Sequence, residues 1–292
     1  MMSHSILRSI ADRIRALPVL QFSIIVDGTQ DISGTEQESI CLRYVDQDLV
    51  PQEVFMGLYQ TNDTTGRVLA NIALDALTRL NLPLASLRGK TYDGASNMSR
   101  QPPKRFTGQS EGRRPNSAEE HYRAEYFEVL DLINAHLKDR FQQGGLLNLE
   151  SLENTLLTGQ VSSSTEGYPE LNHQSLSIQL PMFLANYKFS SVAEAAQILR
   201  GLHVQVRSLF GTVETLIRLL LVVPISTAEA ERSFSALRRL KTWLRSTMSQ
   251  RRLNSVAVCH AHQECIDQIR TVHISQQFAI KTERRESYFG KY

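Results

Sequence analysis

The chain is poor in cysteine. Its three residues, Cys41, Cys259 and Cys265, are odd in number and form no CxxC pair. That argues against a disulfide framework and fits a reducing compartment. An excess of charge of one sign is also missing. The formal net charge is only +2, so no global field demands a polyanionic partner, although a local basic face stays open. Long apolar runs are absent too. The longest, Leu216 to Ile225, is interrupted by Arg218 and Pro224 and falls short of the ~20 residues that a bilayer crossing needs. Met1 to Leu20 mixes apolar and charged residues and does not read as a signal peptide. No P-loop, GxGxxG or serine-hydrolase element occurs. What remains is an ordinary globular composition, 41% hydrophobic and 21% charged, in 292 residues. That is enough for one large domain or two small ones. The expectation is a soluble intracellular protein with no membrane partner.

The N-terminal third carries the clearest patterning. Ile6, Leu7, Ile10, Ile14 and Leu17 fall near helical spacing before Pro18. Phe22 to Val26 is a short apolar run that reads as a buried strand stopped by Asp27-Gly28. Glu38 to Val45 and Val50 to Tyr59 read as two further strands around the polar turn Asp46-Gln47-Asp48. The cluster Asn62 to Thr65 offers helix caps, and Val68, Leu69, Ile72, Ala73, Ala76, Leu77 and Leu80 form an amphipathic helix. Leu87 to Tyr92 is a fourth short strand running into Asp93. Three strands, a helix and a strand ending in an aspartate open an RNase H-like fold. A right-handed crossover sets the fourth strand parallel to the first. Asp27 and Asp93 then lie at neighbouring strand ends, where their oxygens suit Mg²⁺ in a phosphodiester-cleaving site. A second reading stands beside this one: Asp-Gly is a common turn dipeptide, and both aspartates can simply cap turns.

Two motifs carry a resemblance. Pro224 to Ser235, reading PISTAEAERSFS, is similar to the signature of the C-terminal dimerisation region of hAT-superfamily DNA transposases. Val26 to Ser33, Glu36-Gln37, Leu42 to Val45 and Arg88 to Met98 resemble the transposase-derived domain DUF4371 over about the first hundred residues. The resemblance implies that Asp27 and Asp93 match the first two catalytic acids of the family and that Glu231 matches the third, all three acting as metal ligands. Asp31 competes with Asp27 for the first place. From the residues alone, Glu229 and Glu231 are equally well explained as acids favoured in the first turn of a helix.

The middle of the chain departs from the family pattern. Ser99 to Ala118 is polar and basic, with Pro102-Pro103-Lys104-Arg105 and Arg113-Arg114-Pro115. It reads as a flexible loop, a phosphate-touching arm or a junction where sequence has been lost. The family's fifth strand is not recognisable after Met98, so the sheet reads as incomplete. Helical patterns follow: a long one from Ser117 to Phe141, a weaker one from Leu146 to Leu157, and another from Val192 to Leu209.

Toward the C-terminus, Thr212 to Val223 reads as a buried helix ended by Pro224, with a new helix starting at Ser226 or Thr227. Phe234, Leu237, Leu240 and Leu244 form one apolar stripe, and Leu253 to Ile269 reads as a last continuous helix. The resemblance implies that this region makes a dimer contact, with Phe234, Leu237, Leu240, Leu253 and Val256 as contact residues. Arg232, Arg238, Arg239, Arg245 and Arg251 crowd the same region; they read either as a solvated face or as a DNA-binding face. Cys259, His260, His262 and Cys265 match no standard zinc spacing, and on a continuous helix neighbours point different ways, so a structural helix is the preferred reading.

The resulting expectation is an α/β protein: an RNase H-like core with an incomplete sheet, a helical insertion and a helical C-terminal dimerisation region. Its segments are 1–98, a linker at 99–118, helices at 119–210, the dimerisation region at 211–270 and a tail at 271–292. The resemblance implies a hAT-derived nuclear protein that works by self-association or by pairing with a hAT-related protein, with DNA as a further partner and without transposase activity. The alternatives are an active Mg²⁺-dependent transposase or nuclease and a nonfunctional mobile-element relic.

Overall fold

The computed structural model describes residues 2–92, 144–224, 226–242, 245 and 247–290. The expected linker at 99–118 and the long helix from Ser117 to Phe141 lie outside the described residues, as do Asp93 and Leu244. The chain divides into two compact units, one formed by residues 1–102 with 221–292, the other by residues 103–220.

The first unit opens with helix α1 (Met2–Arg15), which buries Ile6, Ile10 and Ile14 at four-residue steps. Strands β1 (Phe22–Gln30), β2 (Glu36–Val45) and β3 (Pro51–Thr61) form an antiparallel meander. Helix α2 (Gly66–Arg79) crosses over to β4 (Leu87–Tyr92), which pairs with β1 in parallel. The sheet order is β3-β2-β1-β4. This is the topology that the strand, helix and strand pattern predicts.

Asp27 and Gly28 do not end the first strand. β1 continues to Gln30, with Asp27 opposite Ser39 and Gly28 opposite Glu38. Gly28 is needed for space rather than for a turn: a Cβ there would stand 2.9 Å from an oxygen of the buried Glu38 side chain. The turn falls later, where Asp31 N donates to Thr35 O at 2.9 Å and Gly34 takes a positive φ of 72°.

β3 carries a bulge. Ile40 faces Gly57 but Cys41 faces Phe55, which leaves Met56 as the extra residue. Gly57 sits at φ 151°, and a Cβ on it would stand 2.8 Å from Asn254 Oδ1.

The second unit is helical. α3 (Gly144–Thr158), α4 (His173–Asn186), α5 (Val192–Gly201), the short α6 (Val204–Ser208) and α7 (Gly211–Val222) follow in order, the last running on into the first unit's segment. Asn172 and Ser191 cap α4 and α5 through their side chains. Phe183 packs edge-on against Phe210 with ring centroids 5.1 Å apart. Glu214 accepts from Arg207 Nε at 2.7 Å and from Arg218 Nη2 at 2.7 Å, and Arg218 is buried. Burial raises the Glu214 pKa, but the two guanidinium groups outweigh it and hold the carboxyl below its ordinary value.

The chain then returns to the first unit. Pro224 lies against Gly89 of β4, and its carbonyl accepts from Thr91 Oγ1 at 3.4 Å. α8 (Ala228–Leu240) starts after Thr227, as expected, and packs on the sheet face formed by β1, β2 and β3. The expected last helix is broken. α9 (Gln250–Ala261) ends at His262, whose backbone leaves the helical region (φ −119°, ψ 51°), before α10 (Gln263–Ile266). The physical reason is that His262 is buried and its Nε2 lies 2.7 Å from Phe55 O of β3. α11 (Thr271–Ala279) and α12 (Glu283–Phe289) follow.

α9 closes the open edge of the sheet. Leu58 N donates to Asn254 Oδ1 at 3.0 Å, and Gln250 Nε2 donates to Leu58 O at 3.1 Å. With the His262 contact, these side chains satisfy outward-facing backbone groups of β3 that would otherwise offer a strand edge. The unit's core joins Ile10, Phe22, Ile24, Ile40 and Leu42 to Ala230, Leu237, Leu253 and Ala257.

Candidate functional site

Of the three acids matched by resemblance, two lie among the described residues. Asp27 sits inside β1 and is buried, with Oδ1 accepting from Gly28 N at 2.9 Å. It shares a sheet face with its cross-strand neighbour Ser39. Ser39 Oγ and Ser233 Oγ of α8 are hydrogen-bonded at 2.8 Å. Helix α8 therefore covers the face that carries Asp27. Glu231 is exposed in the first turn of α8. Arg238, seven residues or almost two turns later, lies on the same flank. It borders a cleft of about 230 Å³ with Thr29, Gln30 and Ile32 at the end of β1. Asp93 lies outside the described residues; the last described pair of β1 with β4 is Val26 opposite Tyr92.

Asp31, the competing acid, has a different task. Its side chain is fully buried and accepts from Ser33 N at 2.8 Å, Thr35 N at 3.3 Å, Gln37 Nε2 at 3.1 Å and Lys241 Nζ at 2.5 Å. Burial raises its pKa, but the Lys241 ammonium and the other donors win and hold the carboxyl below the usual range. Asp31 locks the β1–β2 turn to the end of α8. This accounts for all the donors it meets without a metal.

Residues 250, 254 and 262 form the part of the arrangement that sequence reasoning missed. Gln250 also exchanges hydrogen bonds with Gln37 in both directions, at 3.0 and 2.9 Å. The signal was there: polar residues at four-residue steps, 250 and 254, inside an otherwise core-facing helix side. Such a pattern fits a helix laid along open backbone.

The expected dimer-contact residues are mostly committed to the chain's own interior. Phe234, Leu237 and Leu253 are buried, and Leu240 packs against the same core. Val256 is half-buried. The apolar stripe of α8 meets the sheet instead of facing outward, because a four-stranded sheet needs a cover on this face. Arg232, Arg238, Arg239, Arg245 and Arg251 are all exposed, and Arg232 pairs with Glu229 at 2.5 Å. Among the described residues, no helix is long and apolar enough to cross a membrane.

Comparison with known families agrees with this anatomy. Residues 1–102 match the ZMYM1/FAM200 RNase-like domain, DUF4371. Residues 189–265 match the hAT family C-terminal dimerisation region. No curated protein matches the chain at a significant level. An RNase-like four-stranded sheet, roofed by helices from a hAT dimerisation region, makes this a hAT-transposase-derived protein.

Proposed function

We propose that the chain acts as a self-associating, DNA-engaging protein of the nucleus rather than as an enzyme, pairing with its own copy or with a hAT-related chain. The match of residues 189–265 to a dimerisation region carries this reading. Within that match, α8 and α9 turn their apolar sides inward. Val204 and Leu209 remain 77% and 56% exposed in and beside α6, and exposed apolar side chains within the matched region fit a protein contact. The exposed arginines of α8, with Arg245 and Arg251, supply a basic face suited to phosphate.

The test is mass by light scattering on the whole chain, with Val204→Asp/Leu209→Asp as the variant. A dimer that the variant converts to monomer supports the reading; a monomeric parent overturns it. Deleting 211–270 would be a poor test, because it removes Leu237 and Leu253 from the core and so measures folding.

One observation favours a second reading, metal-dependent DNA cleavage. β4 runs parallel to β1 with Val26 opposite Tyr92 as the last described pair, and in the sequence Asp27 follows Val26 as Asp93 follows Tyr92. The donor set of Asp27, Asp93 and Glu231 is all carboxylate oxygen, which fits Mg²⁺. Such a metal supplies an activated water for attack on a phosphodiester. Cleavage of DNA ends that needs Mg²⁺ or Mn²⁺ and is abolished by Asp93→Asn would establish this reading. Equal background with and without the substitution would remove it.

A further inference from the structure

The break between α9 and α10 brings His262 and Glu264 together, a pair that a continuous helix would keep apart. Residues i and i+2 of a helix point to different sides. At His262 the backbone turns out of the helix, and His262, Glu264 and Cys265 converge. Their ligand atoms all lie within 4.8 Å of one another. Glu264 Oε1 is 3.8 Å from His262 Nδ1 and 3.8 Å from Cys265 Sγ. Two ligands on one tetrahedral Zn²⁺, at bond lengths of roughly 2.0–2.3 Å, stand roughly 3.3–3.6 Å apart, so a small adjustment closes the set.

The histidine supplies an independent observation. Its side chain is only 7% exposed, and Nδ1 stands 3.8 Å from the Glu264 carboxylate, beyond hydrogen-bond distance. Nε2 lies 2.7 Å from Phe55 O, a carbonyl that can only accept. Nε2 therefore carries a proton, and Nδ1 is the ring nitrogen turned toward Glu264. A ring N–H held by a backbone carbonyl is the usual outer support of a metal-binding histidine. Cys265 is half-buried beside it.

We infer that His262 Nδ1, Glu264 and Cys265 form a zinc site in which water takes the fourth position. The site clamps α10 to the bulged edge of β3 through Phe55. Hard oxygen-only cations are excluded by the sulfur and imidazole donors, which suit Zn²⁺. The site is separate from the Asp27 and Glu231 carboxylates and holds whether or not those cleave DNA.

The experiment uses the whole chain without a polyhistidine tag. Zn²⁺ is added, free metal is removed by gel filtration, and bound zinc is measured by elemental analysis. Co²⁺ serves as the optical probe. One zinc per chain is expected, with a thiolate-to-cobalt charge-transfer band that disappears in Cys265→Ser. Glu264→Gln, on an exposed side chain that leaves the fold alone, weakens zinc binding at least about tenfold. Asp27→Asn and Cys259→Ser leave binding unchanged. Absence of stoichiometric zinc, or zinc held equally by Cys265→Ser and Glu264→Gln, overturns the proposal.

Discussion

Replacing Lys241 by methionine isolates the contribution of the Asp31 lock. The substitution keeps most of the side-chain volume but removes the ammonium. Asp31 is left with three neutral donors, its carboxylate still fully buried. Breaking a buried ion pair from one side costs about 3–5 kcal/mol, because the remaining charge is uncompensated. Against a total stability of about 5–15 kcal/mol, that is a large share. With a urea m-value near 2 kcal/mol/M, the far-UV circular dichroism midpoint of the first unit falls by about 2 M. The pH dependence gives a second signature. The folded pKa of Asp31 is depressed, so its contribution is fully present above the ordinary aspartate value of about 3.9 and is lost as pH falls through the lower folded value. The gap between parent and Lys241→Met therefore narrows on acidification through that window. The double variant Asp31→Asn/Lys241→Met regains part of the loss, since it leaves no buried charge. A midpoint shift below about 0.5 M at neutral pH, or a gap that does not close in acid, would refute the reasoning.

Three other outcomes are expected. Gly57→Ala forces an alanine to φ 151° and its Cβ into Asn254, so it costs about 1–3 kcal/mol in a urea titration. Adding Asn254→Ala relieves the clash, so the two losses sum to less than their separate values. Glu214→Gln leaves the buried Arg218 without its carboxylate and lowers the melting transition of the helical unit by about 3 kcal/mol. Because the folded Glu214 pKa is depressed, that loss is seen above the ordinary glutamate value of about 4.3 and fades as pH falls below it. Cys41 is fully buried, with its thiol pushed by desolvation to about 12, so a thiol-reactive dye labels it only after unfolding. Native labelling of Cys41, read by peptide mass, would contradict the packing described.

Local patterning was enough for the meander, α2 and β4, because each has a period or an apolar run that does not depend on distant partners. The same reasoning failed where a remote group decides the outcome. Asp27-Gly28 looks like a turn until Glu38, across the sheet, occupies the space over the glycine. The stretch from Leu253 to Ile269 keeps an apolar pattern throughout, and only the Phe55 carbonyl shows why it breaks at His262. The stripe of Phe234 and Leu237 was legible as apolar, but whether it met a partner or the chain's own sheet depended on tertiary packing. In the candidate site, Asp27 and Glu231 stand out by motif, whereas the ion pair that sets Asp31 apart is made with Lys241, more than two hundred positions away in sequence.

The division of the first unit into residues 1–102 and 221–292 imposes an order on biosynthesis. The sheet strands leave the ribosome first, but the helices that roof one face and seal the β3 edge are made only after the whole helical unit. At roughly 5–20 residues per second, synthesis of the intervening stretch takes several seconds or more. Throughout that interval the outward groups of Leu58 and Phe55 have no Asn254, Gln250 or His262 to meet. A nascent chain stalled in the insertion, or a transcript ending there, presents an open edge strand to its neighbours on the same polysome. The quality of the folded unit therefore depends on residues 221–292 being made, and a chaperone that shields β-edges during elongation would raise the yield.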